Sequence, residues 1–171
     1  MRASCLLTLF VLPVAVQGAS LPAPRGLDKL RAYAGNWDTQ VTHLDTPYGK
    51  AGSEHHRLVN DCWRSTLFYV CQQSLDGAPK ALLVFTYDPA QDRYASYPVV
   101  PGSDAAHAGV LIIQGRDWIF PWDDTEQGKT THFRVVNTWS SPDSIEFRQE
   151  YSADGEHWIT MAKGHETRTR N

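Results

Sequence analysis

From Trp37 to Arg168 the chain is built on a period of two. Ten short runs, at 37–43, 53–60, 66–73, 80–87, 92–98, 108–114, 117–122, 129–138, 144–151 and 157–168, are rich in β-branched and aromatic residues. Between them stand turn formers: Thr46-Pro47-Tyr48-Gly49, Asp76-Gly77, Asp88-Pro89, Pro101-Gly102, Gly115, Ser141-Pro142-Asp143 and Asp154-Gly155. Extended strands joined by tight turns fit this punctuation, and crossover helices do not. The even spacing predicts an all-β fold, an antiparallel up-and-down β-barrel, over a sandwich with long connections.

The ends of the series suggest how such a sheet closes. Gly35-Asn36-Trp37 opens the first run and Thr167-Arg168 ends the last. In a meander shut on itself the first and last strands pair, and the Arg168 guanidinium then lies over the Trp37 indole. Trp37 and Arg168 are therefore read as closure residues at a sealed end. Just upstream, Leu27, Leu30 and Ala34 share one helical face, and Gly35 can end the turn. A short N-terminal helix there would plug the barrel mouth.

Residues 1–18 read as a cleaved signal peptide. Arg2 is the positive start, Ala3 to Val16 are apolar, and Gly18, Ala19 and Ser20 are small. The run is shorter than the roughly 20 residues of a membrane span. Residues 19–171 are then a single domain, expected to be secreted or periplasmic. Without Arg2 the chain carries 15 basic against 19 acidic residues. No basic stripe points to nucleic acid, and no amphipathic or polybasic helix points to a membrane.

Cys5 leaves with the leader, so two cysteines remain, Cys62 and Cys71. Export favours a disulfide between them. On one straight strand they would stand roughly 30 Å apart, whereas a bridge needs Cα atoms within roughly 7 Å. The chain must then reverse near Arg64 to Leu67. The alternative is two unpaired buried thiols on one strand.

Several motifs in order resemble a known family. After the leucine-containing helix, Gly35-x-Trp37 resembles the opening of lipocalins, and Arg168 the partner that such barrels set against the tryptophan. More narrowly, the chain is similar to the bacterial lipocalin-like family catalogued as domain of unknown function 1579. The carriers are Thr46-Pro47-x-Gly49, Cys62-Trp63…Cys71, Tyr87-Asp88 before Tyr94, and Asp154-Gly155-x-x-Trp158 before Thr167-Arg168. Trp63-Arg64-Ser65-Thr66 departs from the glycine pair that some members carry in that hairpin. The resemblance implies a calycin-type barrel and no particular reaction, cofactor or ligand.

Phe85, Tyr87, Tyr94, Trp118, Phe120, Phe147 and Trp158 are the expected lining of the interior. Thr39, His43, Gln72, Gln149 and Thr160 could orient a guest. Apolar walls with few polar groups suit a small lipophilic or aromatic ligand held non-covalently. Simple core filling is the competing reading. Adjacent His55 and His56 point to opposite faces of a strand, and no metal motif is present, so no metal or cofactor is expected. A single barrel histidine, His43 or His132, is the residual route to haem.

Asp123, Asp124 and Glu126 read as a solvated turn, and Glu146, Arg148 and Glu150 as outward charge partners. Ser65 and Ser96 lack an evident base. An enzyme would draw on Tyr69, Tyr94, Arg134 and Glu54, in a lyase- or isomerase-like calycin site. A third reading is an envelope interaction module. Strands apolar on both faces, at 82–85 and 110–113, together with an exposed Trp139, would offer a patch for a partner or for a homo-oligomer.

Overall fold

The computed structural model describes residues 25–102 and 108–170; the proposed signal peptide lies outside them. Ten antiparallel strands follow a short helix: β1 Gly35–His43, β2 Gly52–Arg64, β3 Tyr69–Leu75, β4 Ala78–Asp88, β5 Arg93–Val99, β6 Gly109–Gln114, β7 Asp117–Glu126, β8 Lys129–Ser141, β9 Ser144–Ser152 and β10 Ile159–Thr169. Each pairs with its neighbours in sequence, and β1 pairs with β10 to shut the barrel. The expected up-and-down architecture is thus the one observed.

The closure pair meets. Trp37 stands opposite Arg168 in the β1–β10 register. The guanidinium carbon lies 4.2 Å from the centre of the indole, and Trp37 is fully buried. Arg168 also donates to the carbonyls of Ala34, Ala32 and Pro142 and to the Asp143 carboxylate. One side chain thereby ties the last strand to the first strand, the helix end and the β8–β9 turn. Gly35 is required beside it: its φ is +132°, and a Cβ there would run into the Arg168 guanidinium.

The helix, Gly26–Tyr33, is a 3₁₀ helix that caps the same end. Three residues per turn put positions three apart on one face. Leu27, Leu30 and Tyr33 are accordingly the buried residues. A 3.6-residue spacing places Ala34 on that face; the tighter helix puts Tyr33 there instead. This face packs on Tyr69, Cys71, Phe85, Tyr94, Leu111 and Trp118 to form the core.

Cys62 and Cys71 lie opposite each other on β2 and β3, 4.1 Å apart at Cα, and form a disulfide. The chain reverses where expected, with the Ser65 N–H donating to the Phe68 carbonyl. Of the doubly apolar strands, Leu83, Phe85, Leu111 and Ile113 face inward, while Ile112 stays exposed on the outside, as do Tyr97 and Val99 of β5.

Gly164 marks where β10 presses closest on its neighbours. The space for its side chain is filled by the Phe147 ring and the Gln40 carbonyl. Gly164→Ala is expected to cost about 1–3 kcal/mol through overpacking. Denaturant melts would show it, and an unchanged midpoint would contradict this packing.

Candidate functional site

Alternation along each strand sorts the side chains into an inner and an outer set. From the capped end, the inner face of β1 reads Trp37, Thr39, Val41 and His43; opposite on β10 stand Arg168, Glu166, Gly164 and Ala162. A cavity of about 690 Å³ occupies the other side of the barrel, between β3–β6 and β7–β8. Leu83, Phe85, Phe120, Trp122 and Val135 form its walls, and Tyr33 of the helix is among the lining residues. Its polar lining includes Gln73, Ser96 and Asn137.

Tyr33 ties the plug to the barrel. Its backbone carbonyl accepts from Trp37 Nε1 at 3.2 Å and from Asn60 Nδ2 at 3.1 Å. Gln73 Nε2 donates to Asn60 Oδ1 at 2.9 Å, which links that network to the cavity wall. The ring stacks on Trp118 with centroids 5.3 Å apart. Asn137 Nδ2 donates to the Tyr33 hydroxyl, so the hydroxyl keeps its own proton for an acceptor. Burial, and next the charge of Glu166, push the Tyr33 phenol above its ordinary range. It is therefore a neutral donor at physiological pH.

Glu166 is a second titratable group of the interior. It faces inward opposite Thr39 and Ile145. Among the described residues it makes no ion pair. Burial raises its pKa to about 7, and His165 opposes the rise. The Thr39 hydroxyl beside it in the register is buried and has no partner among the described residues.

The expected lining separates into groups. Phe85 and Phe120 border the cavity. Trp118 lies beneath Tyr33. Tyr87 and Tyr94 pack together at the capped end, where Tyr94 donates to the Gly26 carbonyl and Tyr87 to Asp92. Phe147 covers Gly164. Trp158 is on the outside, 3.8 Å beneath the Arg134 guanidinium. A single strand counted from His157 turns it inward. In the structure a register shift in β10 between Thr160 and Ala162 reverses the facing of the residues before it, and β10 begins only at Ile159.

Among the candidate polar groups, Gln72 and Thr160 stand opposite Leu82 and Glu150 on the outer face. His43 lies on the rim of the open end, 3.5 Å from Glu54, which also meets His56 at 2.9 Å. His56 reaches Asp76 at 2.7 Å, and these two carboxylates, Glu54 first, raise its pKa. His132 is paired with Asp123. No group of three or more histidine, cysteine or acidic side chains among the described residues is arranged to hold a metal ion.

The Tyr/Arg/Glu set does not converge. Tyr69 is in the core under the helix, and Arg134 lies outside against Glu150 at 2.6 Å. Glu54 is on the open rim and Tyr94 at the capped end. Arg148 also meets Glu150, at 2.9 Å, so the outward charges on β8 and β9 are partners of one another. Trp139, expected on the surface, instead packs inside against Trp37, Trp118 and Tyr33. An extra residue between Trp139 and Ser141 shifts the β8–β9 register there.

Sequence reading missed Tyr33, Asn137, Trp122 and Glu166. Counting back by two from Arg168 would have put Glu166 on the inner face. A three-residue helical period would have found Tyr33.

The architecture has a solved counterpart. The crystal structure of Rv2717c from M. tuberculosis aligns with 84% of this chain and 97% of its own, at a TM-score of 0.53 and 12% identity. EF1p2_mFAP2b bound to DFHBI aligns with 81% of this chain and 95% of its own, at a TM-score of 0.32 and 14% identity. The first likeness shows a shared barrel fold. No family model matches the chain, and no curated protein does. No helix among the described residues is long and apolar enough to cross a membrane.

Proposed function

We propose that this protein is an exported carrier that holds a small, neutral, lipophilic or aromatic molecule inside its barrel. The observation that carries this reading is the cavity of about 690 Å³ with apolar walls and a few polar groups, Tyr33 and Asn137 among them. Small-molecule sites run to roughly 300–1,000 Å³ with that composition. The Tyr33 hydroxyl supplies a donor, and Asn137 and Ser96 add short polar contacts. The disulfide supports export. The order of its motifs supports kinship with the domain of unknown function 1579 family.

Charge narrows the ligand. Arg64 and Arg168, the arginines on inward-facing positions at the capped end, are engaged by Asp28 and Asp143. Glu166 is an interior carboxyl without an ion pair among the described residues. Among the described residues a guest carboxylate would find no cation on the cavity wall, and burying an unpaired charge is costly.

Nile red, a neutral dye, is expected to bind saturably. Phe120→Ala is expected to weaken it about tenfold, the loss of roughly 1.5 kcal/mol of aromatic contact. A long-chain alcohol should displace the dye at least about tenfold better than the acid of the same length. Absence of saturable uptake would overturn the carrier reading. Equal displacement by acid and alcohol would overturn the charge argument.

A further inference from the structure

We propose that an elongated ligand enters the cavity sideways, through a slot between β6 and β7 that Pro121 keeps open. This rests on the carrier reading and concerns the route and shape of the guest. The β6–β7 ladder consists of Gln114↔Asp117, Ile113↔Trp118 and Ile112↔Ile119. Continued, it would set Val110 opposite Pro121, but it stops short of that pair. On the other side of β7 the ladder with β8 runs from Asp117 to Glu126 and passes through Pro121↔Arg134.

Proline has no N–H, so a strand tolerates it only where that side needs no ladder bond. The unbroken β8 side places the missing donor toward β6. Among the described residues β7 therefore has a free edge from Pro121 onward, next to the point where the β5–β6 ladder ends at Ser96↔Gly109.

The shape of the cavity agrees. It touches four consecutive residues of β7, Phe120 to Asp123, and three at the start of β6, Ala108 to Val110. Side chains alternate in facing, so a void behind a zipped wall meets every second residue. Contact with consecutive residues on both strands fits a void that reaches between them. The axial end is partly covered. Tyr48 of the β1–β2 loop lies across it, with ring centroids 5.1 Å from Phe133 and 4.8 Å from Tyr151.

Pro98, Val100, Val110 and Pro121 give this opening an apolar margin. The ligand class that fits has an apolar head lying against Phe85 and Phe120, whose ring centroids are 6.5 Å apart, and a narrow tail leaving through the slot.

Pro121→Val restores a donor and should let the strands zip further. Amide exchange at residues 109–111 is expected to slow at least about tenfold, and Nile red association to slow by a similar factor. Val110→Trp obstructs the slot without altering the ladder and should also slow association, which covers the case in which Pro121→Val folds poorly. Tyr48→Ala, which clears the axial end, should leave the rate within about twofold. Unchanged exchange in a folded Pro121→Val protein overturns the slot. Unchanged association in Val110→Trp, or faster association in Tyr48→Ala, overturns the route. If the parent takes up no Nile red, the carrier reading and the route fall, and the exchange result alone judges the slot.

Discussion

Arg168→Ala is expected to lower stability by about 2–4 kcal/mol, a fall in melting temperature of about 10 °C for a domain of this size. The guanidinium is 21% exposed, so its contacts are only partly screened. Its removal leaves the Ala32 and Ala34 carbonyls short of a donor and strips the Trp37 indole of its cation. Asp143 keeps Arg170 at 3.3 Å, which limits the loss on that side. Arg168→Lys keeps the charge but not the planar fork, so it should recover less than half of the difference. Thermal melts followed by circular dichroism would measure both variants. Below the transition the dye affinity should match the parent, because Arg168 is remote from the cavity wall. A parent-like melting curve for Arg168→Ala would mean that barrel closure does not depend on this side chain.

Glu166→Gln is expected to stabilise the protein, and only at neutral to alkaline pH. Burial raises the Glu166 pKa from 4.5 to about 7, so the folded state favours the protonated acid. The associated stability is fully present below about pH 4.5 and is lost as pH rises through about 7. The shift corresponds to about 3 kcal/mol at roughly 1.4 kcal/mol per unit, and access of solvent to the barrel interior reduces it to about 2 kcal/mol. The substituted amide is neutral throughout and escapes the loss. The gain over the parent should therefore be small at pH 5 and reach about 2 kcal/mol at pH 8. Denaturant melts at the two pH values would measure it. A gain that is the same at both would show that Glu166 does not titrate in the folded barrel.

The container was more legible in the sequence than the site. Turn residues have strong local signatures, so the strand limits from Gly35 to Thr169 fall close to those expected from Asp76-Gly77, Gly115 and Asp154-Gly155. The closure residues and the disulfide pair were legible for a related reason: a meander dictates which strands are neighbours. Trp158 was misplaced because a register shift between Thr160 and Ala162 reverses the facing of the residues before it. Trp139 was misplaced because the expected run stopped at Thr138, whereas β8 continues to Ser141 and carries Trp139 inward with Asn137. Pro121 was visible as a proline inside a run. Its consequence depends on which neighbour its missing N–H faces, and only the two ladders reveal that.

The β1–β10 seam has a consequence in time. Asn36 pairs with Thr169, so the contact that seals the sheet joins the two ends of the described domain. Contacts this distant in sequence form late, since the intervening chain must be ordered first. A ribosome releases β10 last, and until then β1 and β9 are bare edges able to recruit strands from other chains. Truncation before Ile159 should thus yield an aggregating species rather than a smaller barrel. The same lateness keeps a nascent chain unfolded for longer, the state in which a polypeptide can be threaded across a membrane before it folds.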